Sequence, residues 1–268
     1  MDNVEGLQTR IPDNSIDLTV TSPPYDDLRD YKEYEWDFKA LAQELYRVTK
    51  EGGVVVWVVG DKTFKGSETL SSFQQALYFK DIGFNVHDTM IFKKHNFSNP
   101  SNNRYHQIFE YMFVLSKGRL KTFNPIKDRK NIYAGETCWG RNSTRNRDGS
   151  FSVGDKKVYS EYGMRYNIWE YQTGKEGDFV HKNHPAPFPE KLAKDHIKSW
   201  SDEGDIVLDP FMGSGTTAKM AEMLDRKWIG FEVSEEYVDI AYKRLGKIDK
   251  EYHEELPEEE KPKQMQMF

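Results

Sequence analysis

Two short segments near opposite ends of the 268-residue chain each carry an apolar strand into a tight turn ahead of a helix. The first is Ile16-Asp17-Leu18-Thr19-Val20, followed by Thr21-Ser22-Pro23-Pro24-Tyr25. The second is Ile206-Val207-Leu208, followed by Asp209-Pro210-Phe211-Met212-Gly213-Ser214-Gly215-Thr216-Thr217. Strand, turn and helix in alternation build an α/β sheet. In an open sheet of that kind, ligands bind at the carboxyl ends of the strands, where the strand order reverses. The two segments therefore predict one sheet with both turns at one site.

The rest of the chain supplies the alternation. Strand Asp17–Thr21 leads to a helix over 37–49, with Phe38, Leu41, Leu45 and Val48 on one face at helical spacing. Gly52-Gly53 is expected to end that helix, and Val54–Val59 reads as a buried parallel strand. A second helix is expected over 67–81, with Gly83 at its carboxyl end. The β-rich runs Phe84–Phe92 and Ile108–Leu115 are expected to pair antiparallel across the polar loop Lys94–Tyr105, as an edge hairpin. Periodicity fades between Lys117 and Tyr166 and returns at Asn167-Ile168-Trp169-Glu170. Helix 190–200, strand 206–209, helix 216–224, strand 228–232 and helix 234–245 complete the pattern, with Ser234 suited to an N-cap. The chain thus divides into 1–116, an inserted region 117–166, 167–248, and a tail 249–268 whose acidic composition predicts disorder.

Composition narrows the function classes. A mean hydropathy of −0.81 predicts a soluble protein. The longest apolar run, Val54–Val59, falls far short of the roughly 20 residues of a membrane span, so no membrane is expected. The polar, acidic start Met1-Asp2-Asn3-Val4-Glu5 is unlike a secretory signal, and the single cysteine, Cys138, fits a reducing cytoplasm. No Cys/His cluster suggests a metal. The net charge is −6, but its distribution is uneven. From Lys117 to Asp148 nine basic residues, Arg141, Arg145 and Arg147 among them, stand against three acids, while the tail carries seven acids against three lysines. A basic stretch between two candidate site blocks points to a nucleic-acid contact, although most charge runs are only solvated faces.

Gly213 and Gly215 allow a sharp turn and a close backbone approach to a ligand, and the helix from Thr216 offers unpaired N–H groups to an anion. Glu232 lies 17 residues beyond Gly215, near the position where an acid in a Rossmann site grips ribose hydroxyls. A Gly-x-Gly turn alone is a weak signal, as is an isolated Pro-Pro-Tyr. Together in one chain they are specific.

The combination of Ser22-Pro23-Pro24-Tyr25 with Asp209-Pro210-Phe211-Met212-Gly213-Ser214-Gly215 resembles the permuted (β) class of amino-methylating DNA methyltransferases that use S-adenosylmethionine. The resemblance covers nearly the whole chain, with the catalytic block before the cofactor block. It implies a Rossmann-like α/β methyltransferase sheet, mostly parallel with an antiparallel edge hairpin, and a small inserted target-recognition region at 117–166. It implies that Asp209, Pro210 and the Phe211–Thr217 turn, with Gly213, Ser214, Gly215 and Thr216, hold the methionine portion, and that Glu232 holds the ribose. His184-Pro185, with Phe188 just beyond, is similar to the segment that closes over the cofactor, and Asp2 to an adenine contact. Met1 stands where the family has a glycine preceded by a strand.

The chemistry of the catalytic block follows from the acceptor. An exocyclic base amine is a poor nucleophile because its lone pair is delocalised into the ring. Two hydrogen-bond acceptors can hold its N–H bonds and turn the lone pair toward the methyl group. Ser22 Oγ and the Pro23 carbonyl suit that task, since proline carries a C=O and no N–H. Tyr25 would stack on a base flipped from the duplex, and Phe211 or Tyr25 could face the sulfonium charge. Cys138 follows Thr137, not the proline expected of a cytosine-carbon methylase. Ser-Pro-Pro-Tyr favours cytosine N4 over adenine N6 within the family. The implied partner is double-stranded DNA. A cognate restriction endonuclease, a homodimer and the recognition sequence stay open. A catalytically inactive DNA-binding paralogue and a nucleotide-dependent oxidoreductase are the rival readings. Ala218 at the third glycine position of the dehydrogenase pattern does not exclude the latter, but Ser-Pro-Pro-Tyr has no role in it.

Overall fold

A computed structural model of the chain describes residues 1–24, 36–97, 100, 102–137, 142–154, 158–172 and 189–246. They form two compact units, one made of Met1–Asn124 with the chain from Asn167 onward, the other Pro125–Tyr166. Lys117–Asn124, expected in the inserted region, belong to the first unit, because Lys117 closes a central strand.

The first unit is built on a seven-stranded sheet. In chain order its strands are β1 (Ile16–Thr21), β2 (Thr49–Val59), β3 (Phe84–Lys94), β4 (Phe109–Lys117), β5 (Ile168–Tyr171), β6 (Ile206–Asp209) and β7 (Lys227–Gly230). Their spatial order is β5-β3-β4-β2-β1-β6-β7. β4 alone runs against the others, pairing antiparallel with both β2 and β3. The remaining pairs are parallel. The hairpin β3–β4 forms as expected, and β5 adds one further parallel strand outside it. The order reverses between β1 and β6: from β1 the chain proceeds to β2, and β6 returns on the opposite side. The carboxyl ends of these two strands therefore flank the crevice where an open α/β sheet binds its ligand.

The Val54–Val59 run is fully buried because both faces of β2 are covered. Val55, Trp57 and Val59 join one core with Leu7, Leu41, Leu45, Phe79, Phe84 and Phe231. Those residues come in part from three helices: α1 (Asn3–Arg10), α2 (Phe38–Val48) and α3 (Ser71–Asp81). On the other face α4 (Glu190–Trp200) buries Leu192 and Ile197 and brings His196 Nε2 within 3.2 Å of Met112 Sδ. Two further helices, α5 (Thr216–Glu222) and α6 (Glu235–Leu245), follow β6 and β7.

Several boundaries differ from the sequence expectation, each for a local reason. Helix α2 ends at Val48, and Thr49 passes straight into β2, so Gly52 and Gly53 lie inside the strand. A Cβ on Gly53 would sit 2.9 Å from the Asp17 carbonyl, and Gly52 has φ +82. The glycines thus serve a close strand approach, not a helix stop. Helix α3 starts at Ser71 because Ser67–Glu68 pairs with Thr63–Phe64 in a small hairpin. Asp61 then caps the helix from a distance, accepting from Ser72 N at 2.9 Å and from Ser72 Oγ at 2.6 Å. Helix α5 stops at Glu222 and strand β7 at Gly230, both earlier than expected. Ser234 occupies the N-cap position of α6 without a side-chain cap bond, and its own N–H donates to Glu232 Oε1. Helix α1 lies outside the sequence expectation, and Asp2 is its cap.

The second unit has short pairings, Arg129–Lys130 with Tyr162–Gly163 and Asn142–Arg145 with Phe151–Gly154. It is held by polar contacts, among them the Arg165–Asp128 ion pair and Asn131 Nδ2 donating to the Ser160 carbonyl at 2.8 Å. Ile132, Tyr133, Phe151, Val158 and Tyr166 remain exposed.

Candidate functional site

The two motifs meet at the crevice. β1 ends at Thr21, immediately before Ser22, and β6 ends at Asp209, immediately before the glycine turn. Their hydrogen-bonded registers place Leu18 beside Val207 and Thr19 beside Leu208. Thr21 Oγ1 donates to Asp209 Oδ1 at 2.7 Å, and both residues are buried. Thr217 Oγ1, at the start of α5, donates to the Val20 carbonyl at 3.2 Å. The serine-diproline turn and the glycine turn are thereby fastened to each other at the base. Ser22 and Pro24 are half-buried and Pro23 is buried.

Asp209 faces this junction. Its Oδ1 also accepts from Phe211 N at 3.0 Å. Burial raises its pKa from 3.8 to about 6, partly offset by hydrogen bonds from Thr21, Thr217 and Phe211, with the nearby Glu232 charge adding to the rise. Asp209 therefore acts on the framework of the site, joining β1, β6 and the turn.

The turn itself needs glycine. Gly213 has φ +50 and Gly215 φ +79. A Cβ on Gly215 would lie 2.9 Å from the Ala241 Cβ of α6. The first i-to-i−4 bond of α5 runs from Lys219 N to the Gly215 carbonyl, so the N–H groups of Thr216, Thr217 and Ala218 have no intrahelical acceptor. Pro210 offers its carbonyl to Asn3 Nδ2 at 3.2 Å. Phe211 packs edge-on against Trp36, with ring centroids 5.0 Å apart, and reaches Trp57 at 6.5 Å. One side of its ring is thus tied into an aromatic cluster beneath the crevice.

Glu232 stands opposite. Its Oε2 accepts from Gly213 N at 2.8 Å, and its Oε1 from Val233 N and Ser234 N at 3.0 and 2.9 Å. The carboxylate is already oriented by three backbone donors. The Met1 amino group donates to the Glu232 carbonyl at 3.0 Å, which brings Asp2 to the same neighbourhood. Asp2 Oδ1 caps α1, accepting from Val4 N and Glu5 N at 3.0 and 3.1 Å.

The structure therefore gathers Ser22, Pro23, Pro24, Asp2, Glu232 and Asp209–Thr217 at one edge of one sheet. Tyr25, His184, Pro185, Phe188 and Arg141, together with the acidic tail, lie outside the described residues. Arg145 and Arg147 are exposed in the second unit. Among the described residues no group of three His, Cys, Asp or Glu could hold a metal ion, and no helix is long and apolar enough to cross a membrane.

Two further sets of residues stand around these turns, and only the first, the polar loop Lys94–Tyr105, shows in the sequence. The loop after β3 emerges at the same carboxyl edge. Phe97 stacks on His106 there at 4.1 Å, Arg104 donates to Thr63 Oγ1 and to the Gly66 carbonyl, and Tyr105 is fully exposed. The mixture of Asn, Arg and aromatics in that loop is the available signal. The second set is Arg244 with Glu190, which grips the turn from behind. No local pattern marks it.

A family model described as DNA methylase, of the N6/N4 methyltransferase type, matches residues 16–243. The orphan methyltransferase M.BamHII of Bacillus amyloliquefaciens is 59% identical over 243 residues, which span 89% of this chain and 92% of that protein. Among solved structures, the cytosine-N4-specific PvuII DNA methyltransferase superposes with a TM-score of 0.67 at 23% identity, over 94% of this chain and 87% of that one. The M1.HpyAVI–SAM complex superposes with a TM-score of 0.60 at 24% identity, over 91% and 96%. At those identities the two structures speak for the fold.

Proposed function

The chain belongs to the DNA methylase family, and on that premise we propose that it transfers a methyl group from S-adenosylmethionine to cytosine N4 in double-stranded DNA. The observation that supports this reading is the 2.7 Å bond between Thr21 and Asp209, which fastens the turn that opens with Ser22-Pro23-Pro24 to the Gly213–Thr217 turn at the strand-order reversal.

The residues present fit the cofactor. The Gly213–Thr217 turn would receive the methionine carboxylate, and the Glu232 carboxylate, held by Gly213, Val233 and Ser234, would accept from the ribose hydroxyls. When bound, the cofactor supplies an electrophilic methyl group on a sulfonium.

The protein's part is binding, orientation and proton acceptance. A flipped cytosine would place its N4 amine against the turn at Ser22, where Ser22 Oγ and the Pro23 carbonyl accept its two N–H bonds. That geometry turns the nitrogen lone pair toward the crevice. In that orientation the amine would take the methyl group as the methyl–sulfur bond breaks, and its extra proton would pass by way of the Ser22 hydroxyl to water. Tyr25 would stack on the base. Tyr105, fully exposed at the same edge, adds an aromatic surface for an unstacked nucleotide. Arg141, Arg145 and Arg147 would contact the phosphate backbone.

Adenine N6 is the second reading, because the family model spans both amine acceptors and the same two oxygen atoms would serve either. Nucleoside mass spectrometry of DNA from an expressing strain lacking its own methylases separates them. N4-methylcytosine is the expected product. N6-methyladenine would keep the mechanism and replace the base, and no modified base would favour an inactive DNA-binding paralogue.

A further inference from the structure

Arg244 is a buried cation with an unusual set of partners. It lies on α6, only 7% exposed, thirty positions beyond Ser214 in the chain. Its Nη1 donates to the Ser214 carbonyl at 2.7 Å, to Ser214 Oγ at 2.9 Å and to Thr216 Oγ1 at 3.1 Å. Its Nη2 donates to Glu190 Oε1 at 2.6 Å, an oxygen that also accepts from Lys219 Nζ at 2.8 Å. Burial opposes the charge on Glu190, but Lys219 and Arg244 together hold its carboxyl below the usual range. One turn earlier on α6, Ala241 presses on Gly215.

An arginine near a helix carboxyl terminus ordinarily serves the helix dipole from an exposed position. Burying a guanidinium instead is unfavourable unless geometry and pairing are good. Here the fork is divided, Nη1 going to the glycine turn and Nη2 to Glu190. It takes up a carbonyl and two hydroxyl oxygens of that turn on the side facing α6. The Ser214 carbonyl would repel an anionic ligand if it faced one, the two hydroxyls here accept from the guanidinium, and the two cations around Glu190 leave a net positive charge behind the turn. Glu190 opens α4, so the same guanidinium also ties the turn to the helix that follows Pro189.

We propose that Arg244 is a positioning residue for the methyl donor: it locks the Gly213–Thr216 turn with its oxygens turned to the protein, leaving the opposite side to the anionic end of the cofactor. The inference rests on the reading of that turn as the cofactor cradle. Arg244 touches no reacting atom, and its effect falls on cofactor affinity while the base-binding turn at Ser22 is left alone.

The test uses the full chain with Arg244→Gln, Arg244→Lys and, as a control on the turn itself, Gly215→Ala. Calorimetry with S-adenosylmethionine is run at a temperature where each protein is folded by its own melting curve. Arg244→Gln is expected to raise the cofactor Kd and KM about tenfold or more, with kcat at saturating cofactor and KM for DNA near wild type. Arg244→Lys is expected to recover part of the loss, because an ammonium keeps the charge but not the planar fork. Folded Arg244→Gln with wild-type Kd overturns the proposal, even if it melts earlier. Should the glutamine variant not fold, a folded Arg244→Lys with wild-type Kd overturns it equally. If Gly215→Ala alone weakens binding, the Arg244 inference falls and the cradle stands. If neither position affects affinity while the wild type methylates DNA, the cradle reading falls with it.

Discussion

Thr21 and Asp209, 188 positions apart, share a 2.7 Å hydrogen bond between buried side chains, Oγ1 donating to Oδ1. Each is the last residue of its strand, and each is followed by one of the two turns that define the site. The bond fastens the two turns to each other at their base. Thr21→Val, which keeps the side-chain shape, should remove the donor and leave a buried carboxylate short of a partner. The expected cost is about 1–3 kcal/mol of stability, read by denaturant unfolding. A larger fractional loss is expected in kcat than in cofactor affinity. Unchanged turnover in a folded variant would show that the two turns are held together by the β1–β6 ladder alone.

The same carboxylate sets a pH dependence. Its pKa in the folded protein rises from 3.8 to about 6, chiefly through burial. The folded state therefore binds this proton more tightly than the unfolded chain does. The stability it contributes is fully present below about pH 4 and is lost as pH rises through about 6, a change of about 3 kcal/mol at most. Asp209→Asn removes the titration. The stability difference between the asparagine variant and the wild type should grow in the variant's favour from pH 4 to 6 and then level off. A difference flat across that window would place the Asp209 pKa near its ordinary value.

Ser22→Ala should abolish most methyl transfer and spare cofactor binding. Ser22 begins the turn after β1, whereas the residues expected to hold the methionine portion and the ribose lie at or beyond the ends of β6 and β7. Calorimetry paired with a transfer assay measures both arms. Full activity in the variant would remove Ser22 Oγ from the mechanism.

Glu232→Ala should act in the reverse sense. Its carboxylate orients Gly213, Val233 and Ser234 as well as facing the expected ribose position, so truncation removes a ligand contact and loosens the turn together. Cofactor binding should weaken by about 1.5–3 kcal/mol, the range for a hydrogen bond to a charged group. A cofactor dissociation constant equal to that of the wild type would mean that the ribose is held elsewhere.

Much of this architecture is legible in the sequence because its signals are local. Ile206–Asp209 and Glu190–Trp200 form with the expected bounds, since a short apolar run and a clean amphipathic period each favour one structure. The site turns are legible for the same reason, their chemistry being carried by contiguous residues. Helix α1 is harder to see: it has eight residues, a central Gly6 and weak periodicity. Its one signal is Asp2 with Glu5 three positions on, the pattern of an N-terminal cap. The Ser67–Glu68 hairpin overrides the first turn expected of α3, a choice made by pairing with Thr63–Phe64 and by Asp61. Arg244 is illegible in principle. In sequence it is a basic residue in a last helical turn, and only the packing of α6 under Gly215 gives it a second meaning.

The second unit provides the remaining expectation. Arg145 and Arg147 are exposed, and Arg145 ends a short strand paired with Phe151–Gly154. Exposed arginines that bind DNA phosphates release condensed counterions, so the binding constant falls with salt in proportion to the number of phosphates neutralised. Replacing Arg141, Arg145 and Arg147 with glutamine should weaken DNA binding and reduce the slope of log K against log salt by about 0.9 for each phosphate no longer neutralised. Cofactor affinity should not change, because Arg145 and Arg147 belong to the second unit and the cofactor cradle to the first. Fluorescence anisotropy with a labelled duplex at several salt concentrations gives the slope directly. A weaker complex with the wild-type slope would mean that these arginines act through base contacts or through folding of the unit. A wild-type affinity and slope would reduce them to a solvated face and shift DNA binding to the Lys94–Tyr105 loop, where Arg104 and the exposed Tyr105 stand at the carboxyl edge of the sheet.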